Sequence, residues 1–171
     1  MARFEFLRPV TFNGKVYNSI ELREMRGSEE DILVSRKPRW TVYDKLFAVL
    51  ESCTLSIEGV QDRELIHNVL SNICISNFIY LIIMLEGISL GEEYRFKVNC
   101  RFCNATLDKV VNFFDFEAKK AEILTDTYEL KLGDKVIVLK PLTYNDKDGL
   151  RLLLEREDAV SNVLYARIVS I

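Results

Sequence analysis

Residues 94–113 read YRFKVNCRFCNATLDKVVNF, and the way this stretch is parsed decides the architecture around it. Residues 94–99 and 106–113 alternate and are rich in aromatic and β-branched side chains, the pattern of two hairpin arms. Between them lie Cys100-Arg101-Phe102-Cys103, then Asn104 and Ala105. Asn104 can take the left-handed conformation that such a turn needs. Strand, Cys-x-x-Cys, strand is the shape of a zinc knuckle, in which one tight turn aims two sulfurs at one metal.

Only half of a zinc site is written there. Cys100 and Cys103 are the candidate zinc ligands, a structural site takes four, and no Cys or His follows Cys103. Completion within the chain recruits Cys53, Cys74 or His67, while completion between subunits joins two Cys pairs at a symmetry axis. Metal-free thiols that pin a turn are an equal alternative. A redox role is weaker, because a redox Cys-x-x-Cys normally opens a helix, where the dipole lowers the thiol pKa.

Working outward, 171 residues with an apolar share of 49% suffice for a single domain with its own core. A net charge of −3 with interspersed signs argues against a nucleic-acid surface, and Arg36, Lys37 and Arg39 read as solvated loop charges. The opening MARFEFLRP carries charges where a signal peptide needs an apolar run. Four cysteines without an export signal then suggest thiols in a reducing compartment. Cys53 and Cys74, in apolar helix-like surroundings, read as small buried hydrophobes. The most apolar run, FIYLIIML at 78–85, is far shorter than the ~20 residues of a membrane span and reads as a fully buried helix.

Upstream, residues 3–10 and 15–25 alternate around Asn13-Gly14, a strong hairpin signal. Ser28 is the expected cap of a short helix whose first turn holds Glu29, Glu30 and Asp31, with Ile32 and Leu33 inward and Pro38 as its stop. Thr41 caps a second helix with Val42, Leu46, Val49, Leu50 and Cys53 on one face. Residues 54–62 read as a loop and 63–70 as a short helix. Ser76 is the expected cap of the buried helix 77–88, and Gly91 its stop. Downstream, 114–124 reads as helical, 128–132 and 135–140 as a hairpin across Gly133-Asp134, and Asn145 as the cap of a helix from 146 to 171. The apolar run 163–171 then docks in a groove or against another subunit.

An internal echo runs through this order. Gly14-Lys15-Val16 with Leu22-Arg23-Glu24-Met25-Arg26-Gly27-Ser28-Glu29-Glu30-Asp31 resembles Gly133-Asp134-Lys135-Val136 with Leu139-Lys140-Pro141-Leu142-Thr143-Tyr144-Asn145-Asp146-Lys147-Asp148. Each follows a hairpin and enters an acidic first helical turn. Two copies fall short of a solenoid, and any polar hairpin-to-helix corner looks alike; taken as a repeat, they make two β-hairpin–helix units. The expected fold is therefore α+β, with β-hairpin–helix units around a central helical layer and a Cys-x-x-Cys, zinc-knuckle-like β-hairpin. It is a single domain, 1–171. Residues 1–40 form the N-terminal hairpin and short helix, 41–91 the helical layer, 92–124 the Cys hairpin and helix, and 125–171 the C-terminal hairpin and helix.

Catalytic constellations are not legible. His67 is the sole histidine, so Ser-His-Asp and Cys-His arrangements have little to stand on. The glycines are scattered at turns, with no phosphate-cradling loop, and the acidic residues cluster at helix starts, where capping explains them.

The order of features resembles the baseplate hub and tail-assembly proteins of T-even-like contractile-tailed bacteriophages. The resemblance rests on Ile20-Glu21-Leu22-Arg23-Glu24-Met25, Gly27-Ser28-Glu29-Glu30-Asp31-Ile32-Leu33, Asp44-Lys45-Leu46 and Leu50-Glu51-Ser52-Cys53. It continues through the apolar run 78–85 and Ser89-Leu90-Gly91-Glu92-Glu93-Tyr94 to Cys100-x-x-Cys103, and then to 128–140 with Leu142-Thr143. It covers about residues 15–150. Ser76, and Arg101, Phe102 and Asn104 in the turn, depart from the family pattern and leave the metal role open. The resemblance implies a non-enzymatic virion protein. It would be made in the infected bacterium's cytoplasm, act in the tail baseplate's central hub, and bind other baseplate or tail proteins in a symmetric oligomeric assembly. A transient assembly chaperone absent from the virion and a host zinc-binding adaptor are the alternatives.

Overall fold

The computed structural model describes residues 1–115, 120 and 127–146. Its first hairpin pairs β1 (Ala2–Phe12) with β2 (Lys15–Leu22). The turn holds Asn13 and Gly14 at φ of 50° and 73°, the mirror-image geometry that matches the twist of the strands. Pairing runs from Ala2↔Leu22 to Phe12↔Lys15, with a register shift between Glu5 and Val10. Along β2, Tyr17 and Ser19 are buried on one face and Ile20 and Leu22 on the other.

A third strand, β3 (Thr54–Ile57), pairs antiparallel with β2 and completes a sheet of order β1-β2-β3. The expected loop over 54–62 is corrected accordingly. Four residues, two of them hydroxylic, give periodicity little to register. Their buried hydroxyls are satisfied: Thr54 Oγ1 donates to the Leu50 carbonyl at 2.8 Å and Ser56 Oγ to Glu21 Oε2 at 2.7 Å.

Four helices follow the expected order. The first, α1 (Gly27–Val34), is preceded by Arg26 at the cap position, and Ser28 lies inside its first turn. Glu29 displaces Ser28 as the capping group because its carboxylate reaches back to accept the Arg26 N–H at 2.9 Å. The helix ends at Val34, before Pro38. Helix α2 (Val42–Cys53) does begin at Thr41, which exchanges hydrogen bonds with Asp44. Val42, expected on its buried face, is 73% exposed. At that turn the inward position belongs to Tyr43, whose ring meets Phe78 at 4.6 Å. Asp62 caps α3 (Arg63–Ser71) through the Leu65 N–H at 2.7 Å.

Helix α4 (Ile75–Leu90) starts two residues earlier than expected, with Cys74 at the cap position and Ser76 within the helix. It is central but not fully buried. Phe78, Leu81, Met84 and Leu85 face the core, while Ile79 is 51% exposed. Gly91, at φ 111°, ends it. The core lies between sheet and helices and is built from Ile20, Leu22, Leu50, Ile57, Leu70 and Leu81 among others. No described helix is long and apolar enough to cross a membrane.

Two further hairpins complete the mixed α+β architecture. Strands β4 (Glu93–Asn99) and β5 (Thr106–Asn112) form one, and β6 (Tyr128–Leu132) and β7 (Lys135–Leu139) the other. Phe113–Asp115 is a single 3-10 turn, and the remainder of the helix expected over 114–124 lies outside the described residues apart from Lys120. The second 3-10 turn, Tyr144–Asp146, includes Asn145, whose amide points to Asn72 Oδ1 at 3.4 Å. Asn145 therefore does not cap that turn. Asp146 does, reaching back to the Thr143 N–H at 2.9 Å. The helix expected from 146 to 171, with its apolar end, lies outside the described residues.

Among the described residues the two corners share a hydrogen-bond pattern. In the first corner Arg23 grips Glu29 at 2.9 Å, and Glu29 accepts from the backbone N–H of Arg26. In the second, Lys140 grips Asp146 at 2.8 Å, and Asp146 accepts from the N–H of Thr143. The corners hold opposite ends of α4. The Met25 N–H donates to Ser89 Oγ at 2.9 Å near its C-terminus, and the Ile75 N–H donates to the Leu142 carbonyl at 3.0 Å at its start.

Candidate functional site: the cysteine turn and two amphipathic hairpins

Strands β4 and β5 pair in unbroken register from Glu93↔Asn112 to Asn99↔Thr106, so their last pair delivers Cys100 into the turn. The Cys100 N–H donates to the Ala105 carbonyl at 2.9 Å, and the Asn104 N–H to the Cys100 carbonyl at 2.9 Å. Asn104 takes φ 57°, the left-handed conformation the sequence assigns to it. The chain so folded aims the N–H groups of Cys103 and Phe102, and the Cys103 thiol, at the Cys100 sulfur. Together, in that order of effect, they hold its pKa below the ordinary thiol value. Cys103 is exposed, and Phe102 at the tip is 100% exposed.

The other candidate ligands are committed elsewhere. Cys53 is fully buried beneath Arg23, and burial pushes its thiol up to about 11. Cys74 is buried at the start of α4, its sulfur 3.1 Å from Ser76 Oγ. His67 Nδ1 pairs with Glu51 Oε1 at 3.0 Å, and its ring stands edge-on to Phe47. Among the described residues no three His, Cys, Asp or Glu side chains converge in a way that could hold a metal. The structure thus brings Cys100 and Cys103 together and adds none of the three expected completions to them.

Below the turn the hairpin is two-faced. Strand alternation places Tyr94, Phe96 and Val98 on one side, opposite Val111, Lys109 and Leu107. The other side carries Glu93 with Arg95 at 2.9 Å and Lys97 with Asp108 at 4.0 Å. The apolar side remains open: Tyr94 is 50% exposed, and Val98 and Leu107 each 42%. The base is fixed where Tyr94 meets the buried Phe113 at 6.0 Å. There α4 has a glycine, Gly87, and a Cβ in its place would stand 3.1 Å from Phe113 Cβ. The second hairpin repeats the design. Tyr128, Leu130 and Leu132 lie opposite Leu139, Ile137 and Lys135, and all three of the former are exposed. Each apolar face carries a single lysine, and among the described residues no further strand pairs with either edge of the two sheets, the surfaces through which sheets recruit partners.

Two interior polar groups escaped the sequence reading. Glu29, 1% exposed, accepts both Arg23 guanidinium nitrogens at 2.9 and 3.0 Å, Ser52 Oγ at 2.6 Å and Ser28 Oγ at 3.1 Å. The Arg23 guanidinium foremost holds its carboxyl far below the usual carboxylate range, outweighing the upward push of burial. Asn77, fully buried, accepts the Arg8 N–H at 3.1 Å and donates to the Arg8 carbonyl at 2.7 Å. It thereby satisfies β1 where its register with β2 breaks. The local signal for Glu29 was its place three residues after Arg26; Asn77 had none, since its partner is 69 residues away.

No protein-family model matches the chain, and neither does any curated protein or solved structure.

Proposed function

We propose that the chain is a non-enzymatic structural or assembly subunit of a contractile phage tail, acting in the central hub of the baseplate through protein–protein contacts. The observation that carries this reading is the pair of hairpins whose apolar faces lie open to solvent. Two-stranded ribbons are marginal alone, and an exposed apolar strand face is a liability unless a partner covers it. The order of sequence features shared with baseplate hub proteins names the partners: other baseplate and tail proteins in a symmetric assembly, where permanent interfaces are large and apolar.

The test is co-purification of the tagged chain with tail proteins from infected cells, beside a variant carrying Tyr94→Lys and Leu130→Lys. The wild-type chain brings down tail proteins, and the variant keeps its helical circular dichroism but loses them. Equal recovery by both, or recovery of none, refutes the proposal. Mass spectrometry of finished particles separates a resident subunit from a transient chaperone, which is missing from them.

A further inference from the structure

The cysteine turn joins the paired ends of β4 and β5 and is closed by its own backbone. Its Cys100 N–H donates to the Ala105 carbonyl and its Asn104 N–H to the Cys100 carbonyl, each at 2.9 Å, which brings Cys100 and Cys103 close together at the tip. Asn104 holds the left-handed position that closes the loop. The turn stands at the far end of an exposed hairpin, with Phe102 entirely in solvent.

The chain has four cysteines and one histidine in all. Cys53 is sealed in the core, Cys74 is buried at the head of α4, and His67 is engaged by Glu51. The preferred soft donors available to the turn therefore number two. Zinc in a structural site takes four, tetrahedrally. A two-fold axis through the turn supplies the other two without any further residue, because an isologous contact presents the same patch twice. Four thiolates around Zn²⁺ carry a net charge of −2, and each copy brings Arg101 between its two cysteines to offset it.

We infer that Cys100 and Cys103 form one half of a tetrathiolate zinc site that a second copy of this chain completes, joining two subunits tip to tip at the β4–β5 hairpin. Each thiol gives up its proton as it binds, so two chains and one Zn²⁺ yield one bridged dimer and four protons. The two Phe102 rings, one from each tip, then lie beside the metal and shed water. The site stands independently of whether the neighbouring proteins belong to a phage tail.

The experiment is a zinc titration of the reduced, metal-free full chain, followed by sedimentation velocity and native mass spectrometry. The expected result is uptake saturating at one zinc per two chains, with the mass doubling over the same range and reverting on addition of a chelator. Cobalt in place of zinc gives the intense visible absorption of a tetrahedral thiolate site. Cys103→Ser, a substitution in an exposed turn, removes both uptake and dimerisation while leaving the urea unfolding midpoint unchanged. One zinc per monomer overturns the inference, as does a dimer that forms equally without metal or in the Cys103→Ser variant. Failure to bind zinc with both thiols titratable overturns it too. Loss of two hydrogen masses from the untreated chain, with no metal uptake after reduction, assigns the pair to an internal disulfide instead.

Discussion

Replacing Glu29 by Gln removes one charge from the best-connected polar group in the interior while keeping its shape. The side chain is 1% exposed and accepts from Arg23, Ser52, Ser28 and the Arg26 N–H. In the variant an amide nitrogen faces one guanidinium nitrogen, donor against donor. Removing one member of a buried pair costs about 3–5 kcal/mol where the survivor is orphaned. Arg23 is not orphaned, since it also donates to the carbonyls of Glu24 at 2.9 Å and Ser52 at 3.1 Å. The expected loss is therefore smaller, about 2–4 kcal/mol. With a urea slope of about 2 kcal/mol per molar, the unfolding midpoint falls by about 1–2 M. The pH dependence carries the sharper signature. Glu29 has a depressed native pKa, so its contribution is fully present above the ordinary carboxylate value and is lost as pH falls below about 5 toward the native value. The wild-type midpoint must then decline on acidification more steeply than that of Glu29→Gln, and the two must converge. Parallel acid limbs, or a change under about 0.5 kcal/mol at pH 7, would refute the assignment of Glu29 as a buried, ionised anchor.

The twin corner gives a control: Asp146→Asn breaks the same contacts where Lys140 is 45% exposed, so water screens the pair and the loss in urea is about 1 kcal/mol. Asn77→Leu removes the Asn77 bridge to the Arg8 N–H and carbonyl, at about 2–4 kcal/mol in all, and hydrogen exchange at Arg8 accelerates; unchanged exchange contradicts the bridge. Gly87→Ala gains about 1 kcal/mol of helix propensity but presses a methyl against Phe113 Cβ, which cannot rotate away. The crowding costs about 1–3 kcal/mol, so the variant is destabilised and protease cuts sooner at 91–93; a more stable variant refutes the close packing.

Local grammar carried much of the fold. Asn13-Gly14, Thr41 with Asp44, and Gly91 each act through neighbours within three residues, and each does in space what its sequence context implies. Ser28 and Ser76 were plausible caps that lost to competitors. Glu29 reached back to Arg26, and the chain entering α4 was set by a contact with Leu142 that no local window contains. Strand β3 was hidden for the same reason: its ladder partner β2 and the Glu21 carboxylate that takes the Ser56 hydroxyl lie more than thirty residues back in the chain. The cysteine turn was legible down to the left-handed Asn104. What the turn serves was not, because any ligands beyond the two sulfurs lie on a surface that the sequence of one chain does not spell.

The two-ended hold on α4 has a consequence for the order in which the chain matures. Synthesis runs from the N-terminus, so Met25 already exists when Ser89 emerges, and that end of the helix can be fastened at once. The opposite end waits. Until Leu142 has been translated, the Ile75 N–H has no acceptor from this corner, and Cys74 lacks its bridge to Thr143. A nascent polypeptide stalled after the cysteine hairpin would thus carry a helix secured at its tail and loose at its head, and only arrival of the second corner would latch it.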